Sequence, residues 1–370
     1  MRGCAALPSS HPKRVLMRIA LIASPFISVP PKRYGGTELF ISQLAEGLTR
    51  LGADVVVYAN GESTVQAELR WLYAKDDWPI DGELYSSLKD LNHVSWSVSD
   101  CWQDADVIHL NNAPGLAFAR MRGPRLVYTV HHPHLPFLST FYAAFPGVEF
   151  VCISNFQKDK EPLKRIRTIH HGIDLSSYRL QTKKAEYLSF LGRIAPVKGV
   201  HNAIEIAKRS GIPLKIAGEV QPIFREYFDS CVRPHLDGKF IENVGEADAA
   251  LKNELLGNSM AMLFPIEWDE PFGLVMVEAM ATGTPVIAFP GGSVAEIVRD
   301  GISGFVCCGV EDAVARVREV QALKPAAVRA YAQQYFSVER MVQDYLALYR
   351  EMCDEAALVK DSDIGEQAVA

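Results

Sequence analysis

The chain has 370 residues, 48% hydrophobic and 22% charged, with 38 Lys and Arg against 44 Asp and Glu. That length suits two domains with separate cores, and a formal charge of −6 excludes the basic surplus of a dedicated nucleic-acid binder. Seven cysteines without a Cys-x-x-Cys pair make neither a disulfide framework nor a zinc site, and they fit reduced thiols in a cytoplasmic protein.

Residues 1–16 read as a disordered extension, with Met17 as an alternative start. Lys13 and Arg14 precede an apolar run that imitates a signal peptide, but Arg18 interrupts it and Pro25 ends it. No stretch approaches the roughly 20 apolar residues that cross a bilayer. Residues 19–23 read as a first buried strand, followed by a Pro-rich loop ending in Gly35-Gly36-Thr37. A helix follows over 38–51, with Leu39, Phe40, Leu44, Leu48 and Leu51 on one face and Gly52 as its stop. Strands follow at 55–59, 107–110, 126–130 and 150–153.

After a polar stretch at 181–186 the alternation restarts. Strands are expected at 187–191, 214–217, 260–264 and 286–289. Helices are expected at 199–210, 274–282 and 294–300, with a long helical run from Val310. Continuous apolar strands alternating with amphipathic helices describe parallel sheets covered on both faces. The fold class is therefore α/β, with two doubly wound Rossmann-like domains facing across a cleft. The boundaries are an N-terminal domain over 17–178, a second domain over 179–335, a last helix over 336–357 and a disordered polar tail over 358–370. Ligands bind at the carboxyl ends of such strands.

Four segments carry chemistry. In Glu270–Glu278, EPFGLVMVE, Pro271 and Gly273 allow a tight turn, so the amides of Phe272, Gly273 and Leu274 open a helix whose start attracts phosphate oxygens. Glu270 precedes that helix and Glu278 lies about a turn into it, both suited to sugar hydroxyls. In FLGRIAPVKG a strand runs into Arg193 and then Lys198, two cations on one strand-to-helix loop that suit a diphosphate. Gly35-Gly36 lets backbone approach a ligand at a helix start. His131, His132 and His134 follow the strand that ends in Thr129-Val130, where an imidazole can donate to a hydroxyl or move a proton. No carboxylate or cysteine stands near the histidines in sequence, so a metal is not expected. Asp104-Ala105-Asp106 and Asp361-Ser362-Asp363 imitate metal-binding pairs but lack the context. The basic run Lys158, Lys160, Lys164, Arg165 and Arg167 reads as a solvated helix face, with peripheral contact to anionic lipid as the alternative.

On these residues the chain resembles the family-4 retaining glycosyltransferases of the GT-B fold. EPFGLVMVEAMATGTPVIA matches the family's E-x7-E segment, and GRIAPVKG, the Gly-Gly loop, TVHH, SNFQK, HHGID and GGSVAEIV occur in the expected order. The resemblance implies that Arg193 and Lys198 neutralise the donor diphosphate and that Glu270 holds the transferred sugar, beside the amides of Phe272, Gly273 and Leu274. It implies that Glu278 binds the ribose, that Gly36 lies under the diphosphate, and that His131 contacts the donor sugar. His132 stands where relatives often carry Asp, and the sequence leaves open which of the two faces the cleft. Gly218-Glu219, with Phe264 and Pro265, is expected to line the base pocket. The last helix should cross back to the first domain.

The activity implied is metal-independent hexosyl transfer with retention, needing no cofactor beyond a nucleotide-diphosphate sugar as co-substrate. UDP-glucose is favoured as the family's common donor. The acceptor stays open among saccharide, lipid-linked and small molecules. The alternatives are a GDP-mannose-dependent mannosyltransferase and a catalytically silent nucleotide-sugar binding protein.

Overall fold

The computed structural model describes residues 16–32, 35–77, 83–121 and 123–367, so most of the expected N-terminal extension and the end of the tail lie outside the described residues. Two parallel sheets account for the strands. The first comprises β1 (Arg18–Ile22), β2 (Asp54–Ala59), β3 (Glu68–Trp71), β4 (Val107–Leu110), β5 (Arg125–Val130), β6 (Glu149–Cys152) and β7 (Ile166–Thr168), in the order 3-2-1-4-5-6-7. The second comprises β8 (Leu188–Leu191), β9 (Leu214–Ala217), β10 (Ile241–Gly245), β11 (Ala261–Phe264), β12 (Val286–Ala288) and β13 (Gly304–Val306), in the order 10-9-8-11-12-13. In each sheet the order reverses beside the first strand, between β1 and β4 and between β8 and β11. Such a switch point opens a crevice at the carboxyl ends.

The strands form where they do because their side chains are apolar on both faces. Ile19, Ala20, Leu21 and Ile22 are all fully buried, as are Val56, Val57 and Tyr58 beside them. Each sheet has one apolar cluster on each face. Helix α1 (Gly36–Arg50) covers one face of the first sheet with Phe40, Ile41, Leu44 and Leu48.

The four strands that apolar runs did not mark, β3, β7, β10 and β13, are the four sheet edges. An edge strand is covered on fewer sides, so its sequence need not be continuously apolar. Other differences concern helices. The helix expected over 294–300 is a single turn, Val294–Ile297, and the run from Val310 divides into Val310–Glu319 and Pro325–Phe336, because Pro325 starts a new helix. The last helix, Val338–Gln367, continues through most of the stretch expected to be a disordered tail.

That last helix packs on the first domain. Val338, Met341, Val342, Tyr345, Leu348, Tyr349 and Met352 join the cluster built by β1, β2 and α1. A buried polar seam fixes its register: His109 bonds Tyr349 at 2.6 Å and Thr129 at 2.7 Å, and Thr129 bonds Tyr345 at 2.9 Å. A satisfied buried network of this kind specifies one docking position. The two chain crossings between the domains run side by side, with Ile173 and Phe336–Val338 exchanging backbone bonds at 3.0 Å.

Candidate active site

The second domain supplies the charges. Helix α2 (Leu274–Ala281) starts after Gly273, whose φ of +81° is the left-handed conformation that the turn requires. Glu270, just before that helix, is buried to 7% exposure, and its Oε2 accepts from Lys198 Nζ at 2.6 Å and from the Trp268 indole N–H at 2.9 Å. Lys198 reaches this position because Gly199 lets its loop press on Pro265, where a Cβ would overlap the carbonyl oxygen. Glu267 N–H also donates to the Val197 carbonyl at 2.9 Å, lacing the two loops together.

Burial pushes the proton affinity of Lys198 below the ordinary lysine value of 10.5; Glu270 opposes that shift and the nearby Arg193 charge adds to it. Arg193 Nε is buried with no hydrogen-bond partner among the described residues. Arg193 and Lys198 therefore form a cationic pair in which one side chain keeps unspent hydrogen-bonding capacity, the property that suits an anionic ligand. Glu278, on the second turn of α2, is 4% exposed and accepts on Oε1 from Lys252 at 2.7 Å and from the Tyr178 hydroxyl at 2.8 Å. Gly218 packs on Gly192, the residue before Arg193, so closely that any side chain there would overlap the Gly192 carbonyl.

The first domain faces these groups with a helix start and two imidazoles. A Cβ on Gly36 would lie 3.7 Å from Leu274 Cδ1, so the starts of α1 and α2 meet across the cleft. Both present free N–H groups there. His131 stands at the carboxyl end of β5, stacks on His171 at 5.5 Å and meets the Phe40 ring edge at 5.1 Å. His171 in turn touches Phe272 at 5.3 Å, which carries the histidine pair into the second domain.

His132 turns the other way, bonding the Tyr142 hydroxyl at 2.5 Å and the Pro133 carbonyl at 2.7 Å. His131, therefore, is the one at the domain junction. Burial drives its pKa down to about 3, helped by His132, so it is a neutral imidazole near pH 7. Asn111 fixes the tautomer. Its Nδ2 donates to the Ile22 carbonyl at 3.1 Å, so its Oδ1 accepts from His131 Nε2–H at 2.9 Å and Nδ1 of the imidazole is left as an acceptor.

Two family models cover the chain in succession: Glycosyltransferase Family 4 matches residues 34–177 and Glycosyl transferases group 1 matches residues 177–334. The chain belongs to the family-4 glycosyltransferases. Among curated relatives, glycogen synthase of Mycobacterium tuberculosis is 31% identical over 193 residues, covering 50% of this chain and 45% of that protein. The chain spans about half the length of the curated relatives it matches. Among solved structures, AviGT4, a glycosyltransferase involved in avilamycin A biosynthesis, superposes with a TM-score of 0.71 at 25% identity over 91% of this chain and 98% of its own. Sucrose-phosphate synthase of Thermosynechococcus elongatus does so at 0.74 and 18% identity over 91% and 99%. The fold is GT-B.

Within the family-4 frame, the sequence found the charged loops but not their partners. Trp268, Lys252, Tyr178 and Asn111 were missed because each is defined by what it touches across the fold and by no local pattern. Phe264 is 3% exposed and lies under Lys198, with its ring 5.9 Å from Nζ, so it packs beneath the cation instead of standing open to a base.

Within the basic run, Lys160 pairs with Asp269, while Arg165 and Arg167 pair with Glu149, Glu355 and Glu351. Asp106 caps the first strand by accepting from Arg18 N–H at 2.8 Å. Among the described residues no group of His, Cys, Asp and Glu could hold a metal ion, and no helix is long and apolar enough to cross a membrane.

Proposed function

We propose that the protein transfers a hexose from a nucleotide-diphosphate sugar to an acceptor hydroxyl with retention of anomeric configuration. The observation that carries this reading is the convergence of Arg193, Lys198 and Glu270 on the start of α2, with the α1 start opposite at Gly36. Arg193 and Lys198 meet the charge that grows on the departing diphosphate, and the two helix starts add their dipoles. The reading requires no metal and no cofactor.

The bond from the anomeric carbon to the diphosphate oxygen breaks, and the acceptor oxygen bonds to the same face of that carbon. The acceptor proton passes to the leaving phosphate oxygen. Glu270 orients sugar hydroxyls through Oε1, since both contacts from Lys198 and Trp268 fall on Oε2. Glu278 holds the ribose, with Lys252 and Tyr178 fixing its carboxylate. His131 accepts from a sugar hydroxyl through Nδ1.

UDP-glucose is the first donor to test and GDP-mannose the second. Thermal-shift screening against UDP-, GDP- and ADP-sugars separates them: one series should stabilise the protein by about 2.7 kcal/mol at a hundredfold excess over Kd. No shift with any series would remove the reading.

A further inference from the structure

Glu270 presents an unusual arrangement, because one of its oxygens takes both of its contacts. Lys198 Nζ and Trp268 Nε1 both donate to Oε2, at 2.6 and 2.9 Å, while the Lys198 ammonium also lies 4.4 Å from the centre of the Trp268 ring. Ammonium, carboxylate and indole therefore form a closed triangle. The indole is held from outside it: Trp268 packs against the apolar cluster that contains Phe264, Ile266 and Phe272. The neighbours on its loop are tied as well, Glu267 to Asn202 at 2.8 Å and Asp269 to Lys160 at 2.8 Å.

If Lys198 serves the diphosphate, it must loosen its grip on Glu270 when the donor enters. A buried carboxylate that loses its charged partner is costly to leave in place and would swing out of position without a second donor. Trp268 N–H removes that difficulty. It is already bonded to the same oxygen, and an indole N–H cannot follow Lys198 towards a phosphate because its ring is packed in place.

Resting on the function proposed above, we propose that Trp268 is a positioning residue that keeps Glu270 oriented while Lys198 changes partner from carboxylate to diphosphate. Its face, lying alongside the ammonium, gives Lys198 a second favourable contact that does not depend on Glu270.

The test is Trp268→Phe, which keeps an aromatic face and deletes the N–H, compared with wild type and with Glu270→Gln. UDP with UDP-glucose is the first probe pair and GDP with GDP-mannose the second. Because the nucleoside diphosphate lacks the sugar that Glu270 holds, its Kd should stay within about twofold of wild type, while kcat/KM for the sugar nucleotide falls roughly tenfold to a hundredfold, the range for one hydrogen bond to a charged group. The double variant Trp268→Phe/Glu270→Gln should be no slower than Glu270→Gln alone, as expected of a residue that acts through the carboxylate.

Wild-type kcat/KM in Trp268→Phe would overturn the proposal, and so would a loss of diphosphate affinity equal to the loss in kcat/KM, which marks general damage to the fold. A double variant in which the two losses multiply would overturn it too. A wild-type protein that binds neither diphosphate would instead overturn the functional reading on which the proposal rests.

Discussion

The two domains share a strand order around their switch points yet use the carboxyl edges of their sheets differently. The second domain gathers Arg193, Lys198, Glu270 and Glu278 around one helix start, each buried or half-buried. The first domain meets it with a glycine pair, a helix start and two stacked imidazoles, of which burial holds His131 neutral near pH 7 and His171 well below the ordinary histidine value. The contrast assigns the work. On the proposed function, the charge to be stabilised belongs to the leaving group and is met from the second domain, while the first supplies shape and neutral hydrogen bonds.

The largest effect that can break this division is at Lys198. Lys198→Ala should lower turnover roughly 10²–10³-fold, as loss of one preorganised charge-stabilising group does, with the melting temperature showing that the fold persists. His131→Ala should cost about tenfold, the worth of a neutral hydrogen bond. If steady-state rates gave the two variants equal losses, the division between charged and neutral halves would fail.

pH sharpens the same contrast. His131 is already neutral above pH 3 or so, so the acid limb of the rate profile should carry no step from it near the ordinary histidine value. Lys198 acts as a cation, and burial lowers its pKa from 10.5. Activity should therefore fall as pH rises through that lowered value, and Lys198→Arg should move the alkaline limb upward.

The smallest effect concerns stability alone. A Cβ on Gly47 would overlap Val342 of the last helix, so Gly47→Val should destabilise the first domain by about 1–3 kcal/mol. Denaturant unfolding reads that loss, and the affinity of the second domain for nucleoside diphosphate should be unchanged.

The same contrast runs through what the sequence made legible. Interior strands such as β1 and β11 are buried on both faces and announce themselves as apolar runs, while the edges β3, β7, β10 and β13 do not. Arg193, Lys198 and Glu270 were visible because they sit on the loops that leave the carboxyl ends of β8 and β11, where a doubly wound fold puts its ligands. Trp268, only two residues before Glu270, was not, since an indole beside a carboxylate has no spacing that marks it. The choice between His131 and His132 also needed the fold, which turns one towards His171 and the other towards Tyr142.

On the proposed function, this cleft breaks a nucleotide-sugar bond with the second domain's cations. It is tested most directly by following nucleoside diphosphate release from UDP-glucose, GDP-mannose and ADP-glucose in the presence of an acceptor mixture, with wild type and Lys198→Ala side by side. Release from one donor by wild type, at least about a hundredfold slower in the variant, is the result expected. A donor that binds without any release, or release at equal rates from both proteins, would contradict it.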